Sequence, residues 1–78
     1  MEIEVTMPDV STVEAEVEIL KWLVEVGQPV LRGQPLLEVE TDKAAVEVEA
    51  TTNGTLKTVH AQSGDKVAIG ASIAIIEK

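Results

Sequence analysis

The chain has 78 residues, no cysteine and one histidine, which leaves room for a single small domain and excludes a disulfide, a thiolate nucleophile and a multi-histidine metal site. Fourteen acidic against six basic side chains give a formal charge of −8, which opposes phosphate backbones and anionic lipid and favours solubility, a monomeric state and a basic partner. Met1-Glu2-Ile3-Glu4 lacks the basic start and apolar core of a signal peptide, and no apolar run approaches a membrane span, so a soluble domain that binds neither nucleic acid nor membrane is expected.

The apolar content is Val, Ile, Leu and Ala, with Trp22 the one aromatic, a composition that suits strands. Ile3 to Met7 alternate and stop at Pro8-Asp9, a strand running into a loop, and Val10 to Glu14 read as an ordinary connection. From Glu16 the alternation resumes with Val17 and Ile19 in one phase and Leu20, Trp22, Val24 and Val26 in the other. The spacing predicts one strand with a bulge near Ile19-Leu20, closed by Gly27-Gln28-Pro29, although periodicity alone also admits a helix. Val30-Leu31 leads into a turn at Arg32-Gly33-Gln34-Pro35, and Leu36 to Glu40 begins the next strand.

Val39 lies between Glu38 and Glu40, and Val46 and Val48 interleave with Glu47 and Glu49. That period predicts two antiparallel strands joined by a tight turn at Asp42-Lys43, with Lys43 at the tip. Every other charge within five residues of Lys43 is acidic. Further on, Asn53-Gly54 reads as a turn because it tolerates positive φ. Thr55 to Val59, Val67 to Ile69 and Ile73 to Ile76 are strands separated by Ser63-Gly64-Asp65 and Gly70. Eight short strands predict an all-β sandwich or flattened barrel.

The two halves repeat. An offset of 37 residues sets Gly27 on Gly64, Val30 on Val67, Gly33 on Gly70, Leu36 on Ile73, Val39 on Ile76 and Glu40 on Glu77. Two copies of one unit packed about a pseudo-two-fold axis are implied. On that axis Glu40, followed by Asp42-Lys43, matches Glu77 near the last residue, so Lys43 and the ends of the chain are expected at opposite ends of the molecule. Of the remaining candidates, His60 has no nucleophile or acid beside it in sequence and matches Leu23, so it reads as structural or solvent-facing. Glu14, Glu16 and Glu18 alternate as a solvated strand face rather than as a calcium loop, and Trp22 reads as core.

Met7-Pro8-Asp9, Lys21-Trp22-Leu23-Val24-Glu25-Val26-Gly27, Glu38-Val39-Glu40-Thr41-Asp42-Lys43-Ala44, Gly54, Gly64-Asp65-Lys66-Val67 and Gly70 together resemble the lipoyl domain of 2-oxo acid dehydrogenase acyltransferases, over essentially all of residues 1–78. The resemblance implies two four-stranded antiparallel sheets related by a pseudo-two-fold. It also implies lipoic acid attached to Lys43, with Asp42 and Ala44 as flanks and Glu40, Gly27 and Gly54 shaping or identifying the hairpin. The partners it implies are a lipoate ligase or lipoyl transferase, a thiamine-diphosphate-dependent 2-oxo acid decarboxylase, the acyltransferase core and a dihydrolipoyl dehydrogenase. The domain would then be a non-catalytic carrier in the cytoplasm or, in a eukaryote, the mitochondrial matrix. One departure is Ser11-Thr12-Val13, with Val17 beyond it, where many members have glycines; this stiffens a loop that helps the decarboxylase recognise its carrier. Two readings compete with lipoylation. A biotin carrier uses a similar hairpin lysine but has Met-Lys-Met at the site, and an unmodified interaction module would leave Lys43 as a solvated turn residue.

Overall fold

The computed structural model describes residues 1–9, 16–41 and 44–78, and within them it is built of strands and turns without a helix. The strands are β1 (Glu2–Thr6), β2 (Glu16–Trp22), β3 (Pro29–Val30), β4 (Pro35–Glu40), β5 (Ala45–Glu49), β6 (Gly54–Val59), β7 (Lys66–Ala68) and β8 (Ser72–Glu77). They form two four-stranded antiparallel sheets, ordered β1-β8-β6-β3 and β5-β4-β2-β7. The alternation that marks each strand sends its apolar residues inward, so Val17 and Ile19 are buried between the half-buried Glu18 and exposed Glu16.

The 37-residue repeat is a repeat of registers as well as residues. In one sheet β2 pairs with β4 as Glu18↔Glu40, Ile19↔Val39, Lys21↔Glu38 and Trp22↔Leu37. In the other, β6 pairs with β8 as Thr55↔Glu77, Leu56↔Ile76, Thr58↔Ile75 and Val59↔Ala74, the same residues shifted by 37. The bulge expected near Ile19-Leu20 lies between Ile19 and Lys21, and its mate lies between Leu56 and Thr58. β1 completes the symmetry by standing against β8 as β5 stands against β4: Ile3↔Ile76 corresponds to Val46↔Val39, and Val5↔Ala74 to Val48↔Leu37. Each buried apolar residue therefore has a buried mate, Ile19 with Leu56, Leu36 with Ile73 and Val39 with Ile76. Among the described residues the one exception is Val17, whose mate is Gly54.

Two expectations are corrected here. β2 ends at Trp22 rather than running on to Val26. Leu23 N–H already donates to Leu36 O, the chain turns through Glu25 and Gln28, and Val26 is 60% exposed although it keeps the apolar phase. The second concerns Gly54, which has no positive φ and begins β6 instead of turning before it. Its reason for being glycine is contact: a Cβ there would lie 2.5 Å from Glu77 O and 2.6 Å from Ile76 Cγ2. The left-handed turn positions are Gly27, Gly33, Gly64 and Gly70, with φ of 94°, 87°, 92° and 89°. Trp22 packs against the core but is only half-buried, because its indole N–H must reach a partner; Nε1 donates to Ala61 O at 2.9 Å. Among the described residues, no helix is long and apolar enough to cross a membrane.

Candidate functional site

β4 and β5 converge on the segment that carries the candidate lysine. Their register runs Glu38↔Glu47, Val39↔Val46, Glu40↔Ala45, which leaves Thr41 opposite Ala44. Asp42 and Lys43 lie outside the described residues, and the hairpin is described up to its neck. There Thr41 N donates to Ala44 O at 3.0 Å, Thr41 Oγ1 donates to the same oxygen at 2.9 Å, and Ala44 N donates back to Thr41 Oγ1 at 3.2 Å. A threonine hydroxyl therefore takes part in both directions of the closing pair. A hydroxyl residue at the start of a turn is a known local signal, and Thr41 is the residue closing the neck that the alternation did not single out.

The surroundings of the neck are open. Glu40, Ala44 and Ala45 are exposed and Thr41 is half-buried. Beside it, Ile19 pairs with Val39 and is itself held by the turn before β7, with Ile19 N–H donating to Asp65 O and Gly64 N–H to Ile19 O. Gly64 is thus the glycine that braces the strand next to the hairpin. Gly27 and Gly54 are placed elsewhere. Gly27 N–H donates to Leu56 O at 2.7 Å and Gly54 abuts Ile76 and Glu77, so both serve the β6–β8 side of the molecule.

Electrostatics around the hairpin are acidic and only partly compensated. Glu47 faces Glu38 directly and Glu40 faces Glu18, while Lys21 Nζ approaches Glu38 Oε1 at 3.7 Å. His60 is exposed, Glu16 is exposed and Glu18 half-buried. Glu14, like Ser11-Thr12-Val13, lies outside the described residues. Among the described residues no group of three or more His, Cys, Asp or Glu is placed to hold a metal ion.

Residues 3–76 match the biotin/lipoyl family, described as biotin-requiring enzyme. The chain belongs to this family. It is 40% identical over 77 residues, 97% of its length, to the dihydrolipoyllysine-residue acetyltransferase component of the pyruvate dehydrogenase complex of Rhizobium meliloti. It is 38% identical over 73 residues, 94% of its length, to the dihydrolipoyllysine-residue succinyltransferase component of the 2-oxoglutarate dehydrogenase complex of Staphylococcus saprophyticus. It spans 17% of the length of each of those two proteins. In structure it resembles the lipoyl domain of the 2-oxoglutarate dehydrogenase complex of Azotobacter vinelandii, with a TM-score of 0.79 and 25% identity over 97% of this chain and 96% of that one.

Proposed function

We propose that the chain is a lipoyl carrier domain of a 2-oxo acid dehydrogenase acyltransferase and that Lys43 is its attachment residue. The observation that carries this reading is the coincidence of the Glu40-Thr41-Asp42-Lys43-Ala44 run with the link between β4 and β5, closed at its neck by Thr41 and Ala44 and flanked by exposed residues. The names of the relatives, acyltransferases acting on a dihydrolipoyllysine residue, supply the chemistry. The exposure of Glu40, Ala44 and Ala45 on either side of the link suits an attachment residue that a ligase must reach.

A lysine amine is protonated at neutral pH, so its activation belongs to the modifying lipoate ligase or lipoyl transferase, which would form an amide on Lys43 Nζ. When attached, the dithiolane supplies acyl-thioester and dithiol chemistry. What this chain contributes is position. The paired registers of β4 with β2 and β5 hold the neck, and Asp42 and Ala44 are the sequence neighbours of Lys43. Within a longer acyltransferase, tethering gives an effective concentration on the order of millimolar at the decarboxylase, acyltransferase and dihydrolipoyl dehydrogenase sites. The domain itself is a non-catalytic carrier, working in the cytoplasm or the mitochondrial matrix. Near-equal identity to acyltransferases of two different complexes leaves the choice of complex to the partner surfaces.

The family's description favours a second reading, biotin on the same lysine. Asp42 and Ala44 argue for lipoate, since biotin sites resemble Met-Lys-Met. Intact mass after incubation with lipoate, ATP and a lipoate ligase decides between them: one lipoyl group added to the wild type and none to Lys43→Ala is expected. A biotinyl mass with a biotin ligase and no lipoyl gain would replace the reading with the second one.

A further inference from the structure

A groove of about 440 Å³ runs between β1 and β5, one strand from each sheet, with Val5, Thr6 and Pro8 on one side, Glu47, Val48 and Glu49 on the other, and Arg32 also in its lining. Val5 and Val48 are mates in the pseudo-two-fold, as are Thr6 and Glu49, so the groove straddles the axis. Both strands that border it are sheet edges.

The hydrogen-bonding phase of β5 is fixed at both ends. Thr41 N–H bonds Ala44 O at one end and Ala50 N–H bonds Gln34 O at the other, so Ala44, Val46, Val48 and Ala50 turn their backbone toward β4. Ala45, Glu47 and Glu49 therefore turn their N–H and C=O groups away from β4, and among the described residues no other strand pairs with β5. β1 has the same phase, with Glu2, Glu4 and Thr6 facing out, but there the Glu2 carboxylate is already neutralised by Lys57, whereas among the described residues no cation pairs with Glu47 or Glu49 on β5.

We propose that the free edge of β5 is a docking strand for an extended segment of a partner protein whose side chains alternate basic and apolar. A strand laid on this edge pairs its backbone with Ala45, Glu47 and Glu49. Residues directly opposite those three share their outward face, where Glu47 and Glu49 are exposed and Glu47 already faces the like charge of Glu38. Basic side chains there relieve that repulsion. The intervening residues point inward over Val5 and Val48, where apolar side chains fit the groove. Because β5 leads straight into Ala44, a partner held on this edge is aligned with the hairpin link, whichever group Lys43 carries.

The probe is a capped synthetic peptide of alternating lysine and valine, titrated into the ¹⁵N-labelled 78-residue chain. The amide signals of Ala45, Glu47 and Glu49 should shift and exchange more slowly with solvent. N-methylation of the lysine amides, which face β5, should weaken binding by about tenfold or more, as the loss of paired hydrogen bonds dictates. N-methylation of the valine amides should leave it unchanged. Equal binding by both methylated peptides, shifts spread over the glutamates of both sheets, or no shift at all would overturn the proposal.

Discussion

The pseudo-two-fold sets the hairpin neck against the pairing of the first and last residues. Thr41 N–H donates to Ala44 O at 3.0 Å, and the mate of that bond is Lys78 N–H to Met1 O at 2.8 Å. The backbone geometry is therefore made twice. At the hairpin the strands are joined through Asp42-Lys43, and a hydroxyl adds two further bonds to Ala44. At the other place the strands are held by backbone bonds between Met1 and Lys78 and an exposed contact of 3.7 Å between the amino terminus and Glu77. The difference shows that one backbone pairing is built twice by the fold and that the hairpin copy alone of the two carries the threonine clamp.

The two ends can be broken separately. The largest effect is expected at the Met1–Lys78 end, where Gly54 packs on Glu77. Gly54→Ala places a Cβ 2.5 Å from that strand's backbone and should lower stability by about 2–3 kcal/mol in urea unfolding followed by Trp22 fluorescence. At the mate position Val17 is buried without difficulty, so the tightness belongs to one half only. At the hairpin, Thr41→Val should cost about 1 kcal/mol by the same measurement and speed amide exchange at Ala44, whereas Lys78→Ala at the mate position should stay within about 0.5 kcal/mol.

The smallest effect concerns the exposed Glu2–Lys57 contact, which ties β1 to the bulge of β6. The hydrogen bond and charge of Lys57 hold the Glu2 carboxyl below its ordinary value of 4.5. Those of Glu2 hold the Lys57 ammonium above its ordinary 10.5. The Glu2 contribution is then present above pH 4.5 and fades as pH falls through the lowered value; that of Lys57 is present below pH 10.5 and fades as pH rises through the raised one. Wild type should accordingly exceed Glu2→Gln slightly in thermal unfolding at neutral pH and converge with it in acid. A constant gap across that range would assign the difference to packing.

The repeat was the most legible feature of the sequence, because matched residues in a two-fold sandwich must carry matched burial. The offset that aligned Val39 with Ile76 is the one by which the β2–β4 and β6–β8 registers match, and the phase change at Ile19-Leu20 located the bulge. Two things were hidden. Val24 and Val26 keep the strand's alternation past Trp22, but periodicity reports which residues are apolar and not whether a neighbouring strand remains to pair with them; Leu36 is the last backbone that Leu23 meets. Gly54 follows Asn53, so local chemistry suggested a turn, while its cause is a strand more than twenty residues later in the chain. The hairpin strands around Lys43 were legible from their alternation. The clamp by Thr41 was not, since a hydroxyl partner three residues away leaves no periodic trace.

The paired bulges at Leu20 and Lys57 bear on how this fold tolerates changes in its own gene. In a regular strand, losing one codon reverses inside and outside for everything beyond it. A bulge residue is the surplus member of its pair, so its deletion straightens the strand and keeps Ile19 and Leu56 facing the interior. Positions 20 and 57 are thus where chain length can drift by one residue without scrambling the two faces.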